Sequence, residues 1–413
     1  MKTVVRAENG NHRDTQAQRR EQKEGTSMKS TTRVFSVLSW LCLCVSVVQS
    51  PAGAAEDETN ALYRRLAPSF RPPAELAKDF GKYRSPLKFY DGTRVKDAAD
   101  WPKRRQEILK KWHGLMGPWP ELIDKPKIEY LDKERVGEVT RHHVRIEVAP
   151  KRVTDDAYLL VPDGKGPFPA VVVVFYDGKT GAGLGKAAER DFGLQLAKRG
   201  FVALSLGSTP ETYYPDKEKC RLQPLSYHAY EAANCHTLLA NLKQVDPKRI
   251  GIVGHSYGGK WAMFASCLYP KFACAAWSDP GIVFDEKRSN VNYWERWYLG
   301  FEPGKEDRKP GIPSDKNPRT GPYKKMIDGG HDLHELHALM APRPFLVSGG
   351  SEDQAERWKA LNHTVAVNAL LGYKDCVAMT NRKGHSPTPE SNALLVAFFE
   401  YFLKAGKALE KPK

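Results

Sequence analysis

The sequence predicts an α/β protein built on a doubly wound, mostly parallel sheet, and three observations predict it. Val171-Val172-Val173-Val174-Phe175 is a continuous apolar run, the composition of a strand covered on both faces. From there to the C-terminus strand-like and helix-like patterns alternate, as a parallel sheet with crossover helices requires. Finally, Gly254-His255-Ser256-Tyr257-Gly258-Gly259 joins the apolar run 250–253 to the helix-like 260–266, which reads as strand, sharp turn, helix.

At the N-terminal end, Met28–Arg33 is a short basic lead, followed by an apolar run from Val34 to Val48 and by Ala52-Gly53-Ala54-Ala55. This is the pattern of a secretory signal peptide cleaved after Ala54, and the run is short for a membrane span. A secreted or periplasmic protein without stable membrane insertion is expected. The first 54 residues carry eight Lys/Arg and four Asp/Glu, so without them the formal charge of +15 becomes +11. Such a surface favours encounter with polyanions, but no nucleic-acid-binding motif accompanies it, and a nucleic-acid partner is not expected. Five cysteines remain (Cys220, Cys235, Cys267, Cys274 and Cys376), an odd number that leaves at least one thiol unpaired.

Residues 55–125 read as a helical N-terminal arm, with Trp101, Ile108, Leu109, Trp112 and Met116 on one face of a helix that stops near Gly117-Pro118. The main α/β domain is expected over 126–407. It begins with antiparallel strands at 144–148 and 157–161, then the 171–175 strand, a helix at 186–199, a strand at 201–206, a helix at 227–243 and the strand entering the turn at Ser256. Strands at 272–277, 345–348 and 374–380 and a helix at 390–404 complete the core. The stretch 279–343, after the sixth of these strands, reads as a lid-like insertion.

The turn at Ser256 carries the chemistry. A serine on so tight a turn takes a strained backbone, and glycines at 254 and 258 let strand and helix approach closely enough to hold it. This is the nucleophile elbow of an α/β-hydrolase. The serine needs a base, and the base needs a carboxylate to orient it. His385, in the polar loop after the last strand, has the right chain position for the base. Gly349-Gly350-Ser351-Glu352-Asp353 follows the preceding strand, and Asp353 is the expected acid, with Glu352 as the close alternative and Asp279 as a third. The oxyanion donors are expected to be the amide of Tyr257 and one from Tyr176 or Asp177, after the 171–175 strand.

Four motifs then support a family resemblance. Gly254-His255-Ser256 with Gly259-Lys260, 338–344 (ALMAPRP), 348–353 (SGGSED) and Lys383-Gly384-His385 with Thr388 together resemble the bacterial glucuronoyl esterases of carbohydrate esterase family 15 and their acetyl xylan esterase relatives, over residues 165–405. The resemblance implies that Lys260 contacts sugar hydroxyls. Tyr257 stands where that family has an arginine, and the arginine-glycine-glutamine signature of another acetyl xylan esterase group is missing. Ser256-Tyr257-Gly258-Gly259 is also similar to the elbow of prolyl oligopeptidases, whose propeller finds no room in residues 55–165.

Two further clusters stand out. His331, Asp332, His334, Glu335 and His337 offer ligand-type side chains, but a serine triad needs no metal, and they read as a polar helical turn. The aromatic-dense run 292–301, with Trp294 and Trp297, either receives sugar rings or packs on the core. The expected function is an exported serine hydrolase cleaving esters on decorated polysaccharide or small ester substrates, without a cofactor. A serine peptidase similar to prolyl oligopeptidases and a catalytically silent carbohydrate-binding protein are the alternatives.

Overall fold

The structure is a computed structural model that describes residues 51–208, 221–306 and 308–405. The apolar leader at 34–48 and Cys220 lie outside the described residues, and Ala54 falls in the first helix. Residues from Ser50 onward form one compact unit, so the N-terminal arm is part of the main body.

A nine-stranded sheet organises the described residues. Its strands are β1 (Ile128–Val136), β2 (Val139–Ala149), β3 (Arg152–Pro162), β4 (Phe168–Val174), β5 (Val202–Leu206), β6 (Val245–His255), β7 (Cys274–Ser278), β8 (Phe345–Gly349) and β9 (Val377–Asn381). Their order is β1-β2-β3-β5-β4-β6-β7-β8-β9. The first pairings, through β3–β5, are antiparallel, and the rest are parallel. β1 is an addition to the sequence reading. Its residues 129–135 are exposed and charged or polar for the most part, so no alternation of apolar side chains marks it. The insertion therefore follows the seventh strand.

The sheet is covered on both faces, and the period-2 alternation of its strands sorts side chains between two cores. Ala170, Val172 and Val174 of β4 face one core, with Leu204, Ile252 and Trp277; Val171 and Val173 face the other, with Ala203, Val253 and Leu346. The first core is covered by α2 (Trp101–Met116), which ends at Gly117 as expected, and by the two helices flanking β6. The second is covered by α1 (Pro51–Leu66), a short helix at Phe192–Ala197 and the C-terminal helix Pro389–Phe399. The helix expected over 186–199 is thus cut to six residues; Glu189 has φ 60°, which a right-handed helix does not admit.

Residues 279–343 are woven into the first core. Val291, Tyr293, Trp294, Tyr298, Leu299 and Tyr323 are all buried there. Cys235, Cys267, Cys274 and Cys376 are buried and unbridged. No helix among the described residues is long and apolar enough to cross a membrane.

Candidate active site

β6 runs into the helix Tyr257–Leu268 through Ser256, whose backbone sits at φ 54°, ψ −111°. The turn survives because its glycines carry no side chains. A Cβ on Gly258 would lie 1.9 Å from the carbonyl oxygen of Val174, and one on Gly254 would lie 2.2 Å from that of Gly258. The Ser256 amide donates to the Ser278 carbonyl at 2.8 Å, tying the turn to the end of β7.

Ser256 Oγ lies 2.8 Å from Nε2 of His385, and Nδ1 of His385 lies 2.7 Å from Oδ2 of Asp279. Asp279 is fully buried and held in the left-handed region at φ 49°, immediately after β7. A serine hydroxyl facing an imidazole whose other nitrogen meets a buried carboxylate is arranged for proton transfer from serine to histidine.

The carboxylate is therefore Asp279; the expected Asp353 does not reach His385. Its two oxygens accept instead from the amides of Gly281 and Ile282, at 2.8 and 2.7 Å. Glu352 accepts from Ser351 Oγ and Asn290 Nδ2, and is likewise turned elsewhere. The 349–353 loop serves the site through its backbone: the amides of Gly350, Glu352 and Asp353 all donate to Asp279 Oδ1, at 2.7, 3.1 and 2.9 Å. Burial, and then the Asp279 charge, push the Asp353 carboxyl up to about 6.

Two further residues brace the histidine. Arg382 donates to the carbonyls of Ser348, His385 and Ser386 at 2.6, 2.5 and 2.8 Å, stapling the histidine loop to the end of β8. His255, buried behind the triad with its ring centroid 4.7 Å from that of His385, has Nδ1 3.1 Å from both the carbonyl oxygen and the hydroxyl of Ser278. Burial, and then the neighbouring His385, Arg382 and Arg190, hold its pKa well below the usual histidine range. Arg382 lies three residues before His385, but its staple joins positions far apart in the chain, a link that sequence spacing does not display.

On the other flank, Tyr257 is buried and its hydroxyl hydrogen-bonds to Nε2 of His228, whose Nδ1 meets Glu231 Oε2 at 3.2 Å. The exposed ring of Tyr176 stacks on that of Tyr257, 4.6 Å between centroids and 15° between planes. Tyr176 follows β4 by two residues, and its ring reaches the residue directly after Ser256. Asp177 instead caps the short turn that follows, accepting from the amide of Thr180 at 2.7 Å.

Burial corrects the sugar-contact expectations for Lys260 and Trp294. Lys260 is 2% exposed: Nζ donates to the Asn290 carbonyl at 3.0 Å and lies over the rings of Tyr293 and Tyr298, inside the protein rather than at a pocket mouth. Trp294 is buried, its Nε1 donating to Glu295 at 2.9 Å, so it offers no face to a sugar. Trp297 is half-buried beside Tyr298.

The histidine-rich turn does not converge on one point. His331 meets Glu335, Asp332 accepts from the amides of Phe284 and Leu333, and His334 meets the Arg84 carbonyl. No group of three His, Cys, Asp or Glu suited to a metal occurs among the described residues.

Comparison with known proteins supports the same fold. Residues 218–355 match the model of the prolyl oligopeptidase family. A glucuronoyl esterase from Solibacter usitatus superimposes with a TM-score of 0.61 at 20% identity, over 82% of this chain and 99% of that one. A glucuronoyl esterase of carbohydrate esterase family 15 from Teredinibacter turnerae gives 0.57 at 18% identity, over 84% and 100%. A putative acetyl xylan esterase from Bacteroides fragilis gives 0.51 at 16% identity, over 75% and 80%. No curated protein sequence matches. The fold is that of an α/β-hydrolase.

Proposed function

We propose that the chain is an exported serine hydrolase that cleaves carboxylic esters on decorated polysaccharide. The observation that carries this reading is the continuous contact from Ser256 Oγ through His385 to Asp279. In the proposed course, His385 Nε2 takes the hydroxyl proton as Ser256 Oγ attacks the ester carbon. Asp279 holds the Nδ1–H tautomer and offsets the imidazolium charge. The oxyanion receives the Tyr257 amide and a donor from the Tyr176 turn. His385 then protonates the departing alkoxide. Water, deprotonated by the same nitrogen, attacks the acyl carbon, and the carboxylic acid leaves with Ser256 restored. The leader at residues 28–54 supports export, and the esterase names of the structural neighbours support an ester as the bond cleaved.

The match to the prolyl oligopeptidase model favours a second reading, a serine peptidase. Against it, residues 51–162 form helices and strands of the same sheet. The test is a side-by-side assay of p-nitrophenyl acetate, acetylated xylan, a methyl glucuronate ester and peptidyl p-nitroanilides, with Ser256→Ala as control. Serine-dependent turnover of esters supports the proposal, turnover confined to the anilides selects the peptidase, and turnover of none leaves a silent binding protein.

A further inference from the structure

At the end of the sheet opposite Ser256, a cavity of about 520 Å³ opens beside the start of α2, where the loops that lead into β7, β8 and β9 converge. Trp101 and Arg105 line it from α2, and Pro270, Arg343, Leu371 and Tyr373 line it from those loops. Its two arginines meet at one oxygen: Nη2 of Arg105 and Nη2 of Arg343 both donate to the Leu339 carbonyl, at 3.3 and 3.0 Å. They are not equally engaged. Arg343 Nη1 also donates to the carbonyls of Ser266, Tyr269 and Phe272, at 2.9, 3.4 and 3.0 Å, and so closes the C-terminal end of the helix Tyr257–Leu268. Arg105 has only its bond to Leu339. Among the described residues no carboxylate lies within ion-pair distance of either guanidinium. Burial, and then the Arg105 charge, pull the Arg343 pKa down to about 10, and burial lowers that of Arg105 as well. The indole N–H of Trp101, in the same wall, is buried without an acceptor.

Two like charges drawn together and partly removed from water destabilise the fold, and the carbonyl end of one helix, equivalent to about half a negative charge, does not offset both. Arg343 has a structural task there. Arg105 repeats, with one long bond, a contact that Arg343 already makes. A guanidinium has five N–H groups, and the one used at Leu339 leaves a complete pair of parallel donors on another edge, the geometry that a carboxylate accepts. An inorganic oxyanion would neutralise the charge but leave the Pro270, Leu371 and Tyr373 walls wet, whereas a carboxylate on a flat apolar body covers both. The volume falls in the range of small-molecule sites, roughly 300–1,000 Å³. We propose that this cavity binds a small aryl carboxylate, with the carboxylate on Arg105 and the ring against Tyr373 and Leu371. The site lies at the far end of the helix that begins at Tyr257, and it stands independently of the esterase reading.

The test reads binding directly, by fluorine NMR of the full chain labelled with 5-fluorotryptophan, the Trp101 resonance being identified by its loss in Trp101→Phe. Sodium benzoate is titrated beside three controls: benzyl alcohol, a ring without the charge; sodium acetate, a carboxylate without the ring; and inorganic phosphate. Benzoate is expected to shift the Trp101 resonance saturably and to bind roughly 10-fold or more tightly than each control. Arg105→Gln should weaken benzoate roughly 10- to 100-fold while leaving benzyl alcohol unchanged, and Arg105→Lys, a point charge without the fork, should recover part of the loss. Tyr373→Ala should weaken benzoate and spare acetate, which separates the ring wall from the charge and gives a second variant that leaves both arginines in place. A Trp101 resonance that ignores benzoate, or shifts confined to other tryptophans, would overturn the site. Benzoate binding indifferent to Arg105→Gln would overturn the receptor, and phosphate binding as tightly as benzoate would overturn the aryl carboxylate as its ligand.

Discussion

Asp279 and Asp353 hold each other's loops by exchange. The Asp353 amide donates to Asp279 Oδ1 at 2.9 Å, while the Asp353 carboxylate accepts from the amides two and three residues beyond Asp279. Each carboxylate thus organises the turn that follows the neighbouring parallel strand. Only Asp279 has an oxygen left over for His385. The two residues look alike in the sequence and differ in task.

Replacing them separates those tasks. Asp279→Asn should lower kcat by about 1000- to 10000-fold, because an amide no longer fixes the histidine tautomer. Asp353→Asn should act mainly on stability, since its amide group turns a donor toward one of two backbone N–H groups, at a cost of about 1–3 kcal/mol. Ester turnover and thermal denaturation of both variants check this. A larger kcat loss in Asp353→Asn would reverse the assignment.

The same pair shows what was legible in the sequence. The apolar run of β4 and the glycine-flanked serine declare themselves, because burial on both faces and a tight turn each impose a local composition. Which of two acids at the ends of adjacent strands meets the histidine depends on the left-handed backbone at Asp279, and both chain positions satisfy the same spacing rule. Lys260 misleads for a similar reason. Its place one turn past Ser256 points to the site, but residues 290–298 fold over it, and that covering is a tertiary event. β1 is invisible because an exposed edge strand has no buried face to pattern.

The elbow glycines leave no room for a side chain. Gly258→Ala would place a Cβ 1.9 Å from the Val174 carbonyl, so β4 and the elbow helix must separate. A loss of about 3 kcal/mol or more is expected, with inactive protein. Chemical denaturation measures it. A variant as stable as the parent would show that the strand and helix do not pack this closely.

On the Tyr257 flank, the test is an acceptor swap. Burial lowers the His228 pKa, so its neutral ring donates from Nδ1 to Glu231 and accepts the Tyr257 hydroxyl at Nε2. His228→Leu leaves that buried hydroxyl without this acceptor and should cost about 1–3 kcal/mol. It should also lower kcat more than it raises KM, because the amide of Tyr257 is the proposed oxyanion donor. His228→Gln, which supplies an amide oxygen in place of Nε2, should recover part of both. Equal damage from Leu and Gln would reduce His228 to a space-filling role.

Lys260 gives the pH-dependent prediction. Burial lowers its pKa to about 8, against the pull of Asp353, Glu352 and Asp279, whereas in the unfolded chain it returns to about 10.4. Between these values the unfolded state binds more protons than the native one, so the contribution of Lys260 to stability rises with pH across that window. It is complete above the unfolded pKa and is lost as pH falls through about 8. Lys260→Met keeps the stem and removes the titration. The stability of the parent relative to Lys260→Met should therefore climb by about 3 kcal/mol between pH 7.5 and 10.5, since each tenfold difference in proton affinity between the two states is worth roughly 1.4 kcal/mol. Other groups that titrate in this range, buried tyrosines included, are common to both proteins and cancel in the difference. Paired urea denaturations at half-unit pH steps would read the slope directly. A flat difference would mean that the ammonium is as well solvated in the folded protein as in the unfolded chain, against its burial under Tyr293 and Tyr298.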